Sequence, residues 1–271
     1  MPDELLERLR RFREHTFPGV QDRFQDLVTH GQHPTTLFIG CSDSRLVPYL
    51  LTGAGPGDLF MVRNVAAFVP PHDGYLDAMA ADVAPQRESD AGAPLQSARH
   101  WVGYHGTAAA IEFAVLQLQV SRIVVCGHTH CGGIRALYEG VPPAAVNLSA
   151  WLALGREAGL PVADPGPEVL RRTEQRAVVL QLERLMGYPM VRERVEAGAL
   201  TLHGWHYVIE DGEVHVFDVA TGGFVPASRS AHSGTGPYRD AADDGALFNE
   251  IDAALSSRAL DQAQDTAPPN P

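Results

Sequence analysis

Short apolar segments that alternate with a helical pattern predict a buried parallel sheet. Residues 36–39, 59–62 and 123–126 are apolar at almost every position, which is typical of strands covered on both faces. The first segment ends at Gly40, where we expect a loop to begin. Residues 107–118 place apolar side chains at helical spacing before the third strand. A strand, a helix and a strand in this order predict a parallel crossover.

The second half of the chain predicts two further helices and a hairpin. Helices are expected over residues 134–139, with the positive end facing the preceding loop, and over about 168–186. Residues 202–209 and 214–217 have the composition of strands, and the intervening Asp211-Gly212 suits a tight reversing turn. The predicted fold class is therefore α/β, with a mixed, mainly parallel central sheet flanked by helices and a late antiparallel strand.

Three regions are expected along the chain. Residues 1–34 form an amino-terminal helical arm, because apolar side chains recur there at helical spacing. Residues 35–226 form the α/β domain, with a flexible insertion near 71–105 that is small, polar and aperiodic. Residues 227–271 form an acidic, partly disordered tail. An apolar repeat in the tail favours one helix that docks on the core or on a protein partner.

The composition excludes several classes of function. A formal net charge of −12, without clustered Lys and Arg, argues against a general nucleic-acid binder and against binding to anionic membranes. No apolar stretch is long enough to span a bilayer. The acidic amino terminus does not resemble a secretory signal, so we expect a cytoplasmic protein whose three cysteines stay reduced.

All three cysteines lie in two short segments that follow predicted strands, residues 41–45 (Cys-Ser-Asp-Ser-Arg) and 126–133 (Cys-Gly-His-Thr-His-Cys-Gly-Gly). Cys41, His128 and Cys131 are candidate zinc ligands, because thiolate and imidazole are the donors that zinc prefers. A disulfide between Cys41 and Cys131 is the alternative for these two residues. We interpret Cys126, which closes an apolar run, as a packing residue.

The fourth donor of such a site is either Asp43 or a water molecule. The choice separates a closed site from a catalytic one, because only a metal that carries water can activate it. Arg45 favours the open alternative, since a guanidinium two residues after a carboxylate can draw that carboxylate off the metal.

The residues around these segments resemble the β-class carbonic anhydrases, from about residue 12 to residue 224. Residues 32–34 and 203–205, together with the amino-terminal arm, look most similar to bacterial and cyanobacterial members. Besides the two cysteine segments it rests on residues 32–34 (Gln-His-Pro), 57–60 (Gly-Asp-Leu-Phe), 63–66 (Arg-Asn-Val-Ala), 109–113 (Ala-Ala-Ile-Glu-Phe) and 203–205 (His-Gly-Trp).

The resemblance implies a zinc ion bound by Cys41, His128 and Cys131. It implies Asp43 and Arg45 as the catalytic dyad, with Asp43 on the metal only in a closed form of the site. The expected reaction is the reversible hydration of carbon dioxide to bicarbonate and a proton by zinc-bound hydroxide, which the dyad orients. A homodimer or higher homo-oligomer is implied as well, because members of the family build the pocket partly from the neighbouring subunit.

Several points stay open at the level of the sequence. The proton leaves through His130, His105 or buffer. A hydrolase of carbon disulfide or carbonyl sulfide, on the same ligands, is an alternative enzyme, and a non-catalytic zinc scaffold closed by Asp43 is an alternative of another class. A further hypothesis is that the tail recruits the enzyme to a carbon-fixing compartment.

Overall fold

A computed structural model of the chain describes residues 3–72, 105–162 and 165–229. Nearly all of the insertion expected near 71–105, and the tail beyond residue 229 with its expected helix, lie outside the described residues. The described chain forms two compact units. One contains residues 3–32 and 49–57, and the other contains residues 33–48 and the described residues from 58 onward.

The helices and strands alternate through the larger part of the chain. The strands are β1 (Thr36–Cys41), β2 (Leu59–Asn64), β3 (Arg122–His128), β4 (Thr201–Val208), β5 (Glu213–Asp218) and β6 (Gly223–Pro226). The helices are α1 (Glu4–Arg11), α2 (Phe17–His30), α3 (Pro48–Thr52), α4 (Gly106–Glu112), α5 (Gly132–Glu139), α6 (Val146–Ala153), α7 (Pro167–Met186) and α8 (Pro189–Glu196). Single π-helical turns continue α1 over Phe12–Thr16 and α4 over Phe113–Gln117.

The six strands form one sheet in the order β2-β1-β3-β4-β5-β6. The first four of these are mutually parallel, and β5 and β6 are antiparallel to their neighbours. The predicted fold class is therefore confirmed, including the parallel crossover and the late antiparallel pairing. The connection from β1 to β3 places the carboxyl ends of these adjacent strands at the same edge, where β1 ends at Cys41 and β3 ends at His128.

Helix α7 packs against the face of β3 and β4. Its buried side chains recur at helical spacing, and they include the polar residues Glu174 and Gln181. Glycines in the two strands permit a close approach, since a Cβ at Gly127 would lie 2.7 Å from a Val178 methyl group and one at Gly204 would lie 3.0 Å from the other. This close packing brings Glu174 to the carboxyl edge of β3.

The structure differs from the sequence expectations in particular elements. β1 continues two residues past the predicted end, through Gly40 to Cys41, so that glycine lies within a strand. The apolar pattern of the arm restarts after Pro18-Gly19, which favours a break there, but α2 already begins at Phe17. Pro18 lies in its first turn, where a missing backbone N–H is tolerated, and the irregular turn over Phe12–Thr16 precedes it. Helices α6 and α8 were not predicted from the sequence, because neither shows a strong helical pattern.

The smaller unit contains the amino-terminal helices and residues 49–57. Aromatic contacts link the turn after α1 to α2, with ring centroids 6.0 Å apart for Phe12 and Phe17 and 5.9 Å apart for Phe17 and Phe24. Several apolar side chains of these helices are exposed to solvent: Leu5, Leu6, Leu9, Phe12, Phe24 and Val28. Among the described helices, none has both the length and the apolar character needed to cross a membrane.

Candidate metal centre

Cys41, His128 and Cys131 converge at the carboxyl edge of the sheet. One ligand atom from each lies within 4.8 Å of the others, and the two sulfurs are 4.0 Å apart. All three side chains are buried, and the cysteines are free thiols rather than a disulfide. β1 and β3 supply the first two donors, and the short loop between β3 and α5 supplies the third.

The hydrogen bonds of His128 determine which of its ring nitrogens faces the sulfurs. Nδ1 donates to the backbone carbonyl of Thr129 at 2.8 Å, so the lone pair is on Nε2. Within the described residues, the buried Nε2 has no hydrogen-bond partner. A buried imidazole nitrogen with a free lone pair, beside two sulfurs, fits a zinc ion. The donor set therefore suits the metal that the sequence predicted.

Backbone amides stabilise negative charge on both sulfurs. The amide of Asp43 donates to the Cys41 sulfur at 3.4 Å, and the amides of Gly133 and Ile134 at the start of α5 donate to that of Cys131. The pKa of Cys41 is lowered to about 4, chiefly because the Cys131 thiol donates a hydrogen bond to it, and the same contact raises the pKa of Cys131. Two thiolates this close repel each other, so both become ionised only with a cation between them.

Asp43 and Arg45 form a bidentate pair beside the three donors. Arg45 donates from Nε to Oδ1 at 2.9 Å and from Nη2 to Oδ2 at 2.8 Å, and its backbone amide also donates to Oδ1 at 3.0 Å. These bonds hold the pKa of the Asp43 carboxyl well below its usual range. Oδ2 lies 3.8 Å from Nε2 of His128, so the carboxylate borders the metal position.

Two arginines connect the loops that carry the donors. Arg45 Nη2 donates to the carbonyl of His130 at 3.1 Å, which joins the first loop to the second. Arg63 on β2 donates to the carbonyls of Cys41 at 3.1 Å, Asp43 at 2.7 Å and Leu46 at 2.9 Å. The backbone of the Asp43 loop is thus held by three hydrogen bonds from one side chain.

The remaining sequence candidates lie in different surroundings. Cys126 is fully buried and outside the donor cluster, and burial raises the pKa of its thiol. His130 adopts a left-handed backbone conformation (φ 58°), and its exposed ring lies 3.6 Å from a carboxylate oxygen of Glu210. His105 precedes α4, and its ring centroid is 5.2 Å from that of Trp151.

Two carboxylates that the sequence did not mark support the loop between β3 and α5, which carries Cys131. Glu174 on α7 accepts a hydrogen bond from the backbone amide of Cys131 at 3.0 Å. Thr129 donates from its hydroxyl to Glu210 at 2.6 Å and accepts from the amide of Ile209 at 3.0 Å. No local pattern marks either carboxylate, because each reaches the loop only through the packing of distant elements.

Comparison with known proteins places this arrangement among the carbonic anhydrases. A family model described as carbonic anhydrase matches residues 36–214. The carbonic anhydrase of Synechocystis sp. is 34% identical over 233 residues, which cover 83% of this chain and 74% of the relative. That of Pseudomonas aeruginosa is 34% identical over 231 residues, which cover 82% of this chain and 90% of the relative.

Solved structures show the same similarity in three dimensions. The β-carbonic anhydrase CcaA aligns with a TM-score of 0.66 and 33% identity, covering 82% of this chain and 90% of that one. One of two tetrameric β-carbonic anhydrases from the filamentous ascomycete Sordaria macrospora aligns with a TM-score of 0.60 and 27% identity, covering 78% of this chain and 94% of that one.

Proposed function

Because this chain belongs to the β-class carbonic anhydrases, and is an enzyme of that family, we propose that it hydrates carbon dioxide reversibly to bicarbonate and a proton at the Cys41, His128 and Cys131 centre. The observation that carries the proposal is the convergence of these three donors beside the Asp43–Arg45 pair. A purely structural zinc site has no use for an arginine that holds back its fourth ligand.

Cys41, His128 and Cys131 are the residues that would hold zinc. When bound, zinc lowers the pKa of a coordinated water to about 7, so that hydroxide is available near neutral pH. The imidazole Nε2 and the two sulfurs would supply three donors, and a catalytic zinc ion takes its fourth donor from water. The amides of Asp43, Gly133 and Ile134 stabilise the thiolate charges of this donor set.

Asp43 is proposed to orient the reacting group rather than to remove its proton. Its carboxylate stays ionised because Arg45 lowers its pKa, so it accepts hydrogen bonds and cannot donate them. Oδ2 lies beside the donor cluster and can accept a hydrogen bond from an O–H group there. An acceptor in this position selects a protonated oxygen and directs that oxygen's lone pair toward carbon dioxide.

The resting site is proposed to be open. Asp43 would become the fourth ligand only after its two side-chain hydrogen bonds from Arg45 break. A charge-assisted bidentate pair opposes that movement. Ligation of the metal by Asp43 then belongs to a closed, inactive form. In a protein that populates this closed form, the rate of carbon dioxide hydration should rise with pH.

The functional molecule is proposed to be a homodimer or higher homo-oligomer in a reducing cytoplasm. Exposed apolar side chains on the amino-terminal helices, with Leu5 66% and Leu9 61% accessible, support burial against another copy. The name of the Sordaria macrospora relatives describes tetramers. Three free cysteines, two of them in the donor set, support a compartment that keeps thiols reduced.

The decisive experiment measures carbon dioxide hydration by stopped flow, across pH, on protein of known zinc content. We expect about one zinc per chain and fast turnover. Carbonyl sulfide and carbon disulfide are assayed on the same preparation, so that hydrolysis of either gas without hydration of carbon dioxide would overturn the proposal. Cys126→Ala serves as the matched cysteine control for Cys131→Ala, since only the second removes a proposed ligand.

A further inference from the structure

A buried chain of hydrogen bonds reaches the Cys131 loop from α7 and β4. Glu174 on α7 is 4% exposed and uses both carboxylate oxygens. Oε1 accepts from the backbone amide of Cys131 at 3.0 Å, and Oε2 lies 3.3 Å from Nε2 of His206 on β4. Burial of such groups is costly unless they are paired, so the arrangement needs an explanation beyond packing.

The Cys131 amide lies at the end of the short loop between β3 and α5. Cys131 has extended backbone angles (φ −68°, ψ 117°) directly before α5. Its N–H therefore takes no part in the backbone hydrogen bonds of a helix or a sheet, and it donates to the Glu174 side chain instead. The preceding residue, His130, is in the left-handed region that non-glycine residues adopt at a cost. Thr129 and His130 have contacts of their own, and Glu174 is the acceptor of the Cys131 N–H, so it helps to fix where the Cys131 sulfur is held.

His206 fixes the carboxylate in turn. Its ring is fully buried and makes a T-shaped contact with the ring of Phe224, at a centroid distance of 6.1 Å. Within the described residues, the Nδ1 atom of His206 has no hydrogen-bond partner, and its Nε2 atom contacts Glu174. His206 pairs in register with Gly127 on β3, one residue before His128. These hydrogen bonds thus connect β4, which pairs with β3, to α7 and to the Cys131 loop.

We propose that Glu174 and His206 are positioning residues for the metal: Glu174 holds the Cys131 loop in its ligating conformation, and His206 holds Glu174. This inference rests on the proposed zinc centre. The pair acts through the backbone of a ligand and touches no reacting atom. Hydrogen-bonded partners behind metal ligands commonly change metal affinity by about 10- to 100-fold when they are removed.

The test measures the rate of zinc loss to a chromophoric chelator from the purified full-length protein. Glu174→Ala should lose zinc about 10- to 100-fold faster than the wild type. Glu174→Gln, which keeps an acceptor for the Cys131 amide, should stay close to the wild-type rate. His206→Leu should lose zinc faster, and adding it to Glu174→Ala should have no further effect, because the two residues act in series.

Gln181→Leu is the matched control, since Gln181 is buried on the same helix and accepts from the amide of Val69 instead of from a ligand loop. It should lower the melting temperature without accelerating zinc loss. The visible absorption of the cobalt-substituted protein should change in Glu174→Ala and remain unchanged in the control. Equal acceleration in the control and in Glu174→Ala would overturn the proposal, because it would reflect general instability.

The readout is independent of catalysis. A wild type that retains zinc but hydrates no carbon dioxide would refute the proposed function, while the rates of zinc loss would still decide the role of Glu174. Wild-type protein that binds no zinc would overturn both. If Glu174→Ala does not fold, the His206→Leu variant tests the inference instead. Zinc loss from His206→Leu at the wild-type rate would then overturn it.

Discussion

Arg45 holds the Asp43 carboxylate through two parallel side-chain hydrogen bonds, at 2.9 Å to Oδ1 and 2.8 Å to Oδ2. The same guanidinium donates to the carbonyl of His130, so one side chain ties Asp43 to the loop that carries Cys131. This relationship sets both the charge and the orientation of the carboxylate next to the metal position.

Replacing Arg45 by alanine should release Asp43 and reduce turnover by about 100-fold or more, the usual effect of losing an oriented electrostatic contact. Zinc content should be unchanged, because all three proposed ligands remain. Arg45→Lys should recover only part of the activity, since an ammonium cannot form the planar two-point contact. Stopped-flow hydration with metal analysis checks this, and near-normal activity in Arg45→Ala would refute the role of the dyad.

Gly133→Ala should lower both stability and zinc retention, whereas Gly132→Ala should change neither. A Cβ at Gly133 would lie 2.9 Å from side-chain atoms of both Val65 and Ala66, while nothing lies within 4 Å of the same position at Gly132. We expect Gly133→Ala to cost about 1–3 kcal/mol of unfolding free energy. It should also weaken zinc retention, because the Gly133 amide donates to the Cys131 sulfur. Denaturant unfolding of the zinc-loaded variants measures the difference, and equal stability of the two would contradict the packing argument.

The cysteines should separate into one packing residue and two ligands. Cys126→Ala removes a fully buried thiol outside the donor cluster, so we expect a loss of about 1–2 kcal/mol of unfolding free energy with zinc content intact. Cys41→Ala and Cys131→Ala should each lose most of the bound zinc. Metal analysis after dialysis distinguishes the two outcomes, and loss of zinc from Cys126→Ala would show that the donor assignment is wrong.

Glu210 should contribute a small, pH-dependent stabilisation. Its pKa is lowered, chiefly because the Thr129 hydroxyl donates to it, so its contribution is present above the unfolded-state pKa of about 4.3 and disappears as the pH falls toward the folded value. The difference in melting temperature between wild type and Glu210→Gln should be present at about pH 6 and shrink below about pH 4. Because the side chain is half exposed, we expect a difference of about 1–3 °C.

Glu139→Gln, at an exposed position on α5, is the control for that measurement. It should show no comparable dependence on pH. A difference for Glu210→Gln that grows as the pH falls from about 5 to about 3 would have the wrong sign for an ionised acceptor.

The chemistry of the donor set was predictable from the sequence, because ligand type and position are local properties. Cys41 and His128 follow apolar runs, and buried parallel strands end at a common edge, so their convergence was expected before the structure. The full length of β1 was not predicted from the sequence, because Gly40 interrupts the apolar pattern. In the structure that glycine is needed within the strand: a Cβ there would lie 2.7 Å from the Phe38 ring.

The second loop's support came only from the tertiary structure. Glu174 lies in a helix of mixed composition and His206 in a strand of alternating burial, and neither has a sequence neighbour that suggests a shared contact. They meet because Gly127 and Gly204 let α7 approach the sheet. The donor atoms and the sheet edge at which they meet follow from the sequence, because donor chemistry and strand polarity are encoded locally. The contacts that hold those atoms in place follow from the packing of α7 on β3 and β4, because they depend on distances between residues far apart in the chain.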